Sequence, residues 1–126
     1  MTVSRRQARR QALFLLYQWD LSGQEIGSQY AGEIDPWARR VAESVAERAE
    51  ELDARITSAS DGWTADRLGT VERSALRVAV HELQTGEVPA EVAINEAVAF
   101  TKRYASEDGA RLVNGILGKI QREEAA

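Results

Sequence analysis

The sequence predicts an all-α fold, and three of its features indicate this. Apolar residues recur at intervals of three and four in several long runs, which is the spacing of one helix face. Pro36 and Pro89 each come just before such a run, where a missing backbone N–H is harmless in the first helical turn. No segment alternates apolar and polar residues for long, as a half-buried strand would. We therefore expect a single helical domain over residues 1–126.

The first predicted helix runs from about Ser4 to Asp20. At roughly 100° per residue, one side is apolar and faces a core; it comprises Ala8, Ala12, Leu15, Leu16 and Trp19. The adjoining side carries Arg5, Arg6, Arg9 and Arg10. Tyr17 falls about 120° from Arg5, so its ring is expected on the arginine side and away from the core.

The middle of the chain predicts two further helices. Asp35 can cap the first, and an apolar series then predicts one amphipathic helix of about five turns; the series is Trp37, Val41, Val45, Leu52 and Ile56. From Thr70, apolar residues cover most of the helix circumference; they are Val71, Ala75, Leu76, Val78, Ala79, Val80 and Leu83. We expect this helix to end at Gly86 and to lie at the centre of the fold.

Two more helices are predicted towards the C-terminus. The first runs from Pro89 to Tyr104 and has Ile94, Ala97, Val98 and Thr101 on one face. Ser106 can cap the second, whose core stripe is Leu112, Val113, Ile116, Leu117 and Ile120. Residues 21–34 and 57–69 are glycine-containing connections, the second with a short helical turn expected between Trp63 and Leu68.

The composition excludes several classes of protein. Without cysteines the chain can form neither disulfides nor thiolate metal sites, and a cytoplasmic location suits it best. Its longest apolar run, from Ala12 to Tyr17, is far shorter than the ~20 residues of a membrane span. We therefore expect a protein without membrane association.

The sequence also argues against catalysis. His81 is the only histidine and lies amid apolar neighbours, so we expect it to have a structural role. A catalytic triad or a common zinc site cannot be assembled, and no glycine-rich phosphate loop is present. The adjacent carboxylates Glu50 and Glu51 lie in a strongly charged segment, where solvation explains them. We predict no catalytic residue, no metal site and no cofactor.

The charge distribution indicates an RNA-binding surface. The net charge is −4, yet residues 1–19 contain four arginines and no acid. A second basic stretch, residues 101–122, has five cations against two carboxylates. Guanidinium groups hold phosphates bidentately, and an unstacked base can lie on the ring of Tyr17, so the first helix suits single-stranded RNA. The alternative is a solvated face, although such faces normally mix both signs, as residues 39–51 do.

Four motifs resemble the NusB family of transcription antitermination factors. They occur in the family's order and cover nearly the whole chain: Arg5-Arg6-Gln7-Ala8-Arg9 with Ala12, Leu16, Tyr17, Gln18 and Trp19; Val71-Glu72-Arg73-Ser74-Ala75-Leu76-Arg77; Pro89 with Val92-Ala93-Ile94-Asn95-Glu96-Ala97-Val98; and Leu112-Val113-Asn114-Gly115-Ile116-Leu117.

The resemblance implies a fold of two packed three-helix bundles, with the arginine helix in the N-terminal one. It implies a factor that binds single-stranded boxA RNA of ribosomal RNA transcripts together with NusE, a small-subunit ribosomal protein, in an RNA polymerase antitermination complex. Carried over by position, the RNA surface comprises Arg5, Arg6, Arg9, Arg10, Tyr17, Arg111 and Asn114. The partner surface comprises Glu72, Arg73 and Leu76. A homodimer of the free protein is left open.

This chain departs from the family pattern at two positions. Gly118 stands where an acidic residue is common, and His81 where a tyrosine is common, so an RNA contact and the local packing are expected to differ there. Two other functions stay open. One is a helical bundle that binds only proteins, and the other is a stand-alone relative of the RNA-binding domain of ribosomal RNA methyltransferases, which the lack of a cofactor-binding domain disfavours.

Overall fold

The computed structural model describes residues 3–125, which form six α-helices and a single turn of 3-10 helix. The elements are α1 (Arg5–Ser22), α2 (Pro36–Glu47), α3 (Ala49–Ser58), the 3-10 turn (Ala65–Arg67), α4 (Thr70–Thr85), α5 (Ala90–Tyr104) and α6 (Glu107–Ala125). Over this described range there is no strand, so the predicted all-α class is confirmed. Nor is any helix within it both long and apolar enough to cross a membrane.

Helix α4 lies at the centre and contacts every other α-helix. Helices α1, α2 and α3 form one three-helix group against it, while α4, α5 and α6 form the other. The two groups share one apolar core, whose largest fully buried side chains are Leu15, Leu16, Leu52, Ile56, Leu76, Leu117 and Ile120. The predicted central position of the helix that begins at Thr70 is therefore confirmed.

The helix ends follow the local signals in the sequence. The Asp35 side chain accepts a hydrogen bond from the Ala38 N–H, and Pro36 occupies the first helical position. Gly86 ends α4 with φ of 70°, a left-handed conformation that a side chain disfavours. The Ser106 hydroxyl accepts from the Gly109 N–H at the start of α6. These local features place the start of α2, the end of α4 and the start of α6 as predicted.

The predicted five-turn helix is wrong, because the segment forms two helices that meet at Arg48. Arg48 has φ of −97° and ψ of 10°, and its N–H is shared between the carbonyls of Ser44 and Val45. Neither proline nor glycine marks the break, so the sequence carries no local signal for it. The Arg48 side chain instead bonds to His81 and Gln84 of α4, which ties the junction to the central helix.

The predicted core stripe of α6 is wrong at one position. Leu112 is 38% exposed, whereas Val113, Ile116, Leu117 and Ile120 are buried. Leu112 lies at the edge of the stripe on the helical wheel, and it lines a surface hollow beside Trp63.

The structural role expected for His81 agrees with its surroundings. Its Nδ1 accepts a hydrogen bond from an Arg48 guanidinium nitrogen at 2.7 Å, which requires a neutral ring at that atom. Burial, followed by the charge of Arg48, lowers the pKa of His81 below its ordinary value of 6.5, and Glu87 opposes this weakly.

We expect His81 to make the stability depend on pH. The unfolded chain gains a proton on this histidine as the pH falls through 6.5, while the folded chain stays neutral until a lower pH. The free energy of unfolding should therefore decrease as pH falls below about 6.5 and level off beneath the folded pKa. Urea titrations of the parent and of His81→Gln, whose amide oxygen can accept from Arg48, measure this; an equal pH dependence in both would contradict it.

Candidate nucleic-acid interface

The first turn of α1 holds its arginines in a fixed register. The Ser4 hydroxyl accepts a hydrogen bond from the Gln7 N–H at 3.1 Å, and the Gln7 side chain accepts one from the Ser4 N–H at 3.0 Å. This reciprocal capping box fixes where the helix begins. The first turn contains no acidic residue.

The four arginines of α1 do not form one open strip as predicted. Arg9 is only 4% exposed, and its guanidinium bonds to the Glu82 carboxylate of α4 at 2.8 Å; Glu82 is 3% exposed. The prediction that Arg9 lies open for RNA is therefore wrong, since its donors face a buried carboxylate. Arg5 is exposed, and its guanidinium carbon lies 4.2 Å from the ring centroid of Trp37. Thus Arg5 and Arg9 lie on the α2 and α4 side of the helix.

Arg6 and Arg10 lie on the other side, where α1 faces α5. Both are exposed, and they border a groove of about 440 Å³ between the two helices. The groove is lined by Arg6, Arg9, Arg10, Leu13, Glu96, Ala99, Phe100, Lys102, Arg103 and Tyr104. Its only carboxylate is Glu96, whose oxygen lies 3.2 Å from Nε of Arg6. This groove therefore collects positive charge from two helices of an acidic protein.

The end of the groove has an aromatic cluster that joins α1 to α5. The Phe14 ring lies edge-on to those of Phe100 and Tyr104, with centroids 5.4 Å and 5.0 Å away. Tyr104 keeps 38% of its surface exposed, and its hydroxyl accepts a hydrogen bond from Nε of Arg103. An exposed ring flanked by Arg103 and Lys102 can stack on a base while the cations bind phosphate.

Lys102, Arg103 and Tyr104 also line the groove, although none of them was among the RNA-binding residues predicted from the sequence. The sequence feature that could have identified them is the second basic stretch, which includes Lys102 and Arg103 and adjoins the aromatic residue Tyr104. Nothing in the local spacing showed that this stretch faces the arginine helix, because that depends on how α5 packs against α1.

Tyr17 is partly exposed, in agreement with its expected position outside the core. Tyr17 lies on the same face of α1 as Arg6 and Arg10. It comes seven residues after Arg10, which places it roughly 10 Å farther along the helix. The ring lies beyond the residues that line the groove.

Arg111 and Asn114 are both exposed near the start of α6. They line a shallow hollow of about 380 Å³ together with Lys102 of α5, and Arg111 pairs with Asp108 of its own helix. Lys102 lines this hollow and also the groove against α1, so it connects the two surfaces.

Two of the three residues predicted to contact a protein partner instead pack or form hydrogen bonds inside the fold. Leu76 is fully buried, so its assignment to a partner surface is wrong: α4 is enclosed by helices on several sides. Arg73 is mostly buried, and it bonds to Asp20 at 2.7 Å and to backbone carbonyls at residues 65 and 68, which accounts for its donors. Glu72 remains partly exposed at the start of α4.

Among the residues that the structure describes, no three acidic or histidine side chains cluster in a way that could hold a metal ion. His81 bonds to Arg48 and lies apart from the residues that line the groove.

Known proteins similar to this chain include members of one family. The NusB family model matches residues 6–122. The transcription antitermination protein NusB of Rubrobacter xylanophilus is 42% identical over 122 residues, which cover 91% of this chain and 88% of that protein. The structure of T. maritima NusB superposes with a TM-score of 0.86 at 31% identity, covering 98% of this chain and 94% of that one. A chain in a crystal structure of the antitermination factors NusB and NusE in complex with dsRNA has a TM-score of 0.81 at 30% identity, covering 94% and 96%.

The two glutamates that contact α1 should differ in their importance for stability. Glu82→Gln leaves the buried Arg9 charge without its counter-charge and should lower the free energy of unfolding by about 3 to 5 kcal/mol. Glu96→Gln removes only a contact to Arg6, whose side chain is 65% exposed, and should change it by less than about 1 kcal/mol. Urea unfolding followed by circular dichroism measures both; similar small losses would show that the Arg9–Glu82 pair does not hold α1.

Proposed function

Because the chain belongs to the NusB family, we propose that this transcription antitermination factor binds single-stranded boxA RNA of ribosomal RNA transcripts together with NusE. The observation that carries this is the cationic groove between α1 and α5, in a chain whose net charge is −4. Membership of this family of antitermination factors also confirms the expectation that the chain is not an enzyme.

Phosphate binding is assigned to the exposed cations of the groove, Arg6, Arg10, Lys102 and Arg103. Arg5 joins them, because a guanidinium stacked on an indole keeps its in-plane N–H donors free. Arg9 has a different role in our proposal: its bond to Glu82 holds α1 against α4 and so orients its neighbours.

Base contacts are assigned to the exposed ring of Tyr104 and the partly exposed ring of Tyr17. Tyr104 lies at the end of the groove and Tyr17 farther along α1. Aromatic side chains can stack only on bases that are not paired within a duplex, and for this reason we propose a single strand.

The RNA surface extends in our proposal to Arg111 and Asn114 at the start of α6. Lys102 borders both this hollow and the groove, so one strand can follow phosphate contacts from α1 to α6. Gly118 offers no side chain for a polar contact on the same helix, in line with its departure from the family pattern.

NusE is the proposed protein partner. The crystal structure of NusB and NusE in complex with dsRNA contains a chain similar to this one, which supports the partnership with NusE. The RNA in that structure is double-stranded. Of the three residues predicted for the partner surface, Glu72 has a partly exposed carboxylate that can still meet another protein. Assembly with RNA polymerase stays a prediction, and a homodimer of the free protein stays open.

RNA binding should depend strongly on salt. The four groove cations, at ~0.7 per phosphate contact, by themselves predict that log affinity falls with log salt at a slope of about −3, and contacts from Arg5 and Arg111 would make the slope about −4. Arg10→Ala should weaken binding and reduce the slope by about 0.7, because it removes one phosphate contact. The matched control is Arg40→Ala, an exposed arginine of α2, which should change neither. Anisotropy titrations of labelled boxA RNA provide the measurement, and equal effects of the two substitutions would refute the assignment of the groove.

Tyr17 should contribute through its ring. Tyr17→Ala should weaken RNA binding by ~1 to 3 kcal/mol if a base stacks there, whereas Tyr17→Phe should bind as the parent does. Thermal melting establishes that the variants are folded. A folded Tyr17→Ala protein with undiminished affinity would remove the stacking role.

A further inference from the structure

A second hollow, of about 380 Å³, adjoins the Lys102 hollow along α6, and Arg111 lines both of them. It is lined by Ala59, Ser60, Asp61, Trp63, Arg111, Leu112, Gly115, Ile116, Lys119 and Arg122. Trp63 is 52% exposed and Leu112 is 38% exposed, so two large apolar side chains face solvent together. Neither belongs to the buried core, and two exposed apolar side chains beside one hollow can contribute to a binding surface.

Trp63 is presented by a fixed turn between α3 and α4. The backbone N–H of Trp63 donates a hydrogen bond to the Ser60 carbonyl at 3.1 Å, and the backbone N–H of Ala65 donates one to the Thr57 hydroxyl at 3.0 Å. The backbone on both sides of Trp63 is therefore held by hydrogen bonds. Because the turn is already ordered, less conformational entropy is lost when a ligand binds to the indole.

The facing side of α6 is cationic and has space for a planar group. Arg111, Lys119 and Arg122 line the hollow, and Gly115 lies between them at helical spacing. A Cβ added at Gly115 would meet no atom within 4 Å, so the space above the helix is open. The one carboxylate of the hollow, Asp61, is highly exposed and bonds to Lys119 at 3.1 Å.

An exposed indole beside three cations and an open ledge fits a single-stranded nucleic acid. The ring offers a stacking platform for a base, while the cations bind its phosphates. Arg111 also lines the hollow that contains Lys102, so this surface is continuous with the RNA surface proposed above. An acidic protein segment could pair with the same cations, but it would not require the open space at Gly115 beside the indole ring.

We propose that RNA bound along α1 and α5 crosses α6 at Arg111 and stacks one further base on Trp63, with flanking phosphates bound by Lys119 and Arg122. This role presupposes the RNA binding proposed for the chain and extends the bound segment beyond the α1–α5 groove. Trp63 is thereby a second recognition point for nucleotides that flank the segment held in the groove.

The test compares three RNA probes: a short boxA RNA, and the same RNA lengthened by about four nucleotides at either its 5′ or its 3′ end. In the parent protein one lengthened probe should bind roughly fivefold or more tightly than the short one. Trp63→Ala and Gly115→Gln should each abolish that gain while binding the short probe as the parent does. Gly115→Gln is informative because a Cβ at this position meets no atom within 4 Å, so the helix can accept the side chain that then occupies the hollow. Trp63→Phe should retain most of the gain.

The outcomes separate this proposal from the one on which it depends. A parent that fails to bind the short probe would remove both. A parent that binds the short probe but gains nothing from either extension would overturn only the role of Trp63, as would a gain that survives both Trp63→Ala and Gly115→Gln. Loss of NusE binding in Trp63→Ala, with the gain from the longer RNA intact, would assign the ring to a protein contact and also overturn it.

Discussion

The ion pair between Arg9 and Glu82 is the contact on which the proposed RNA surface depends. It joins α1 to the central helix α4, and both side chains are almost fully buried. Loss of either partner would leave a charge in an environment of low dielectric constant, so the pair permits little rotation of α1. With Arg9 held inside, the helical repeat directs Arg6 and Arg10 towards α5, where they meet Lys102. One interior contact thereby determines which arginines remain available to a ligand.

The net charge of the chain also limits where RNA can bind. An acidic surface repels phosphates, so a net charge of −4 disfavours RNA binding over most of the molecule. The cations that remain open are concentrated along the groove and the adjoining part of α6. Glu96 lies beside Arg6 without enclosing it, and therefore weakens the local potential only in part. In the function we propose, specificity for a single strand comes from the rings of Tyr17 and Tyr104, which stack on unpaired bases.

The sequence predicted the helices well because their signals are local. The cap at Asp35 and the apolar spacing act within a few residues, and the structure places both as expected. The break at Arg48 could not be predicted, since the segment contains neither proline nor glycine there and the Arg48 side chain bonds across to α4, which is distant in sequence. Arg9 precedes Leu16 by one heptad and so borders the apolar face of α1, which is a local signal for its burial; its partner Glu82 lies 73 residues along the chain and follows only from tertiary packing. Contributions from α5 to the groove depend in the same way on tertiary packing.

The most direct measurement of the central claim is an NMR titration of the arginine side-chain Nε–H signals with boxA RNA. Arg9 should show a signal protected from exchange with water, and that signal should stay unshifted because its N–H donates to Glu82 throughout. The Arg6 and Arg10 signals should shift as phosphates bind. An Arg9 signal that moves with the RNA while those of Arg6 and Arg10 stay constant would contradict the account, because the interior contact would then be the binding group.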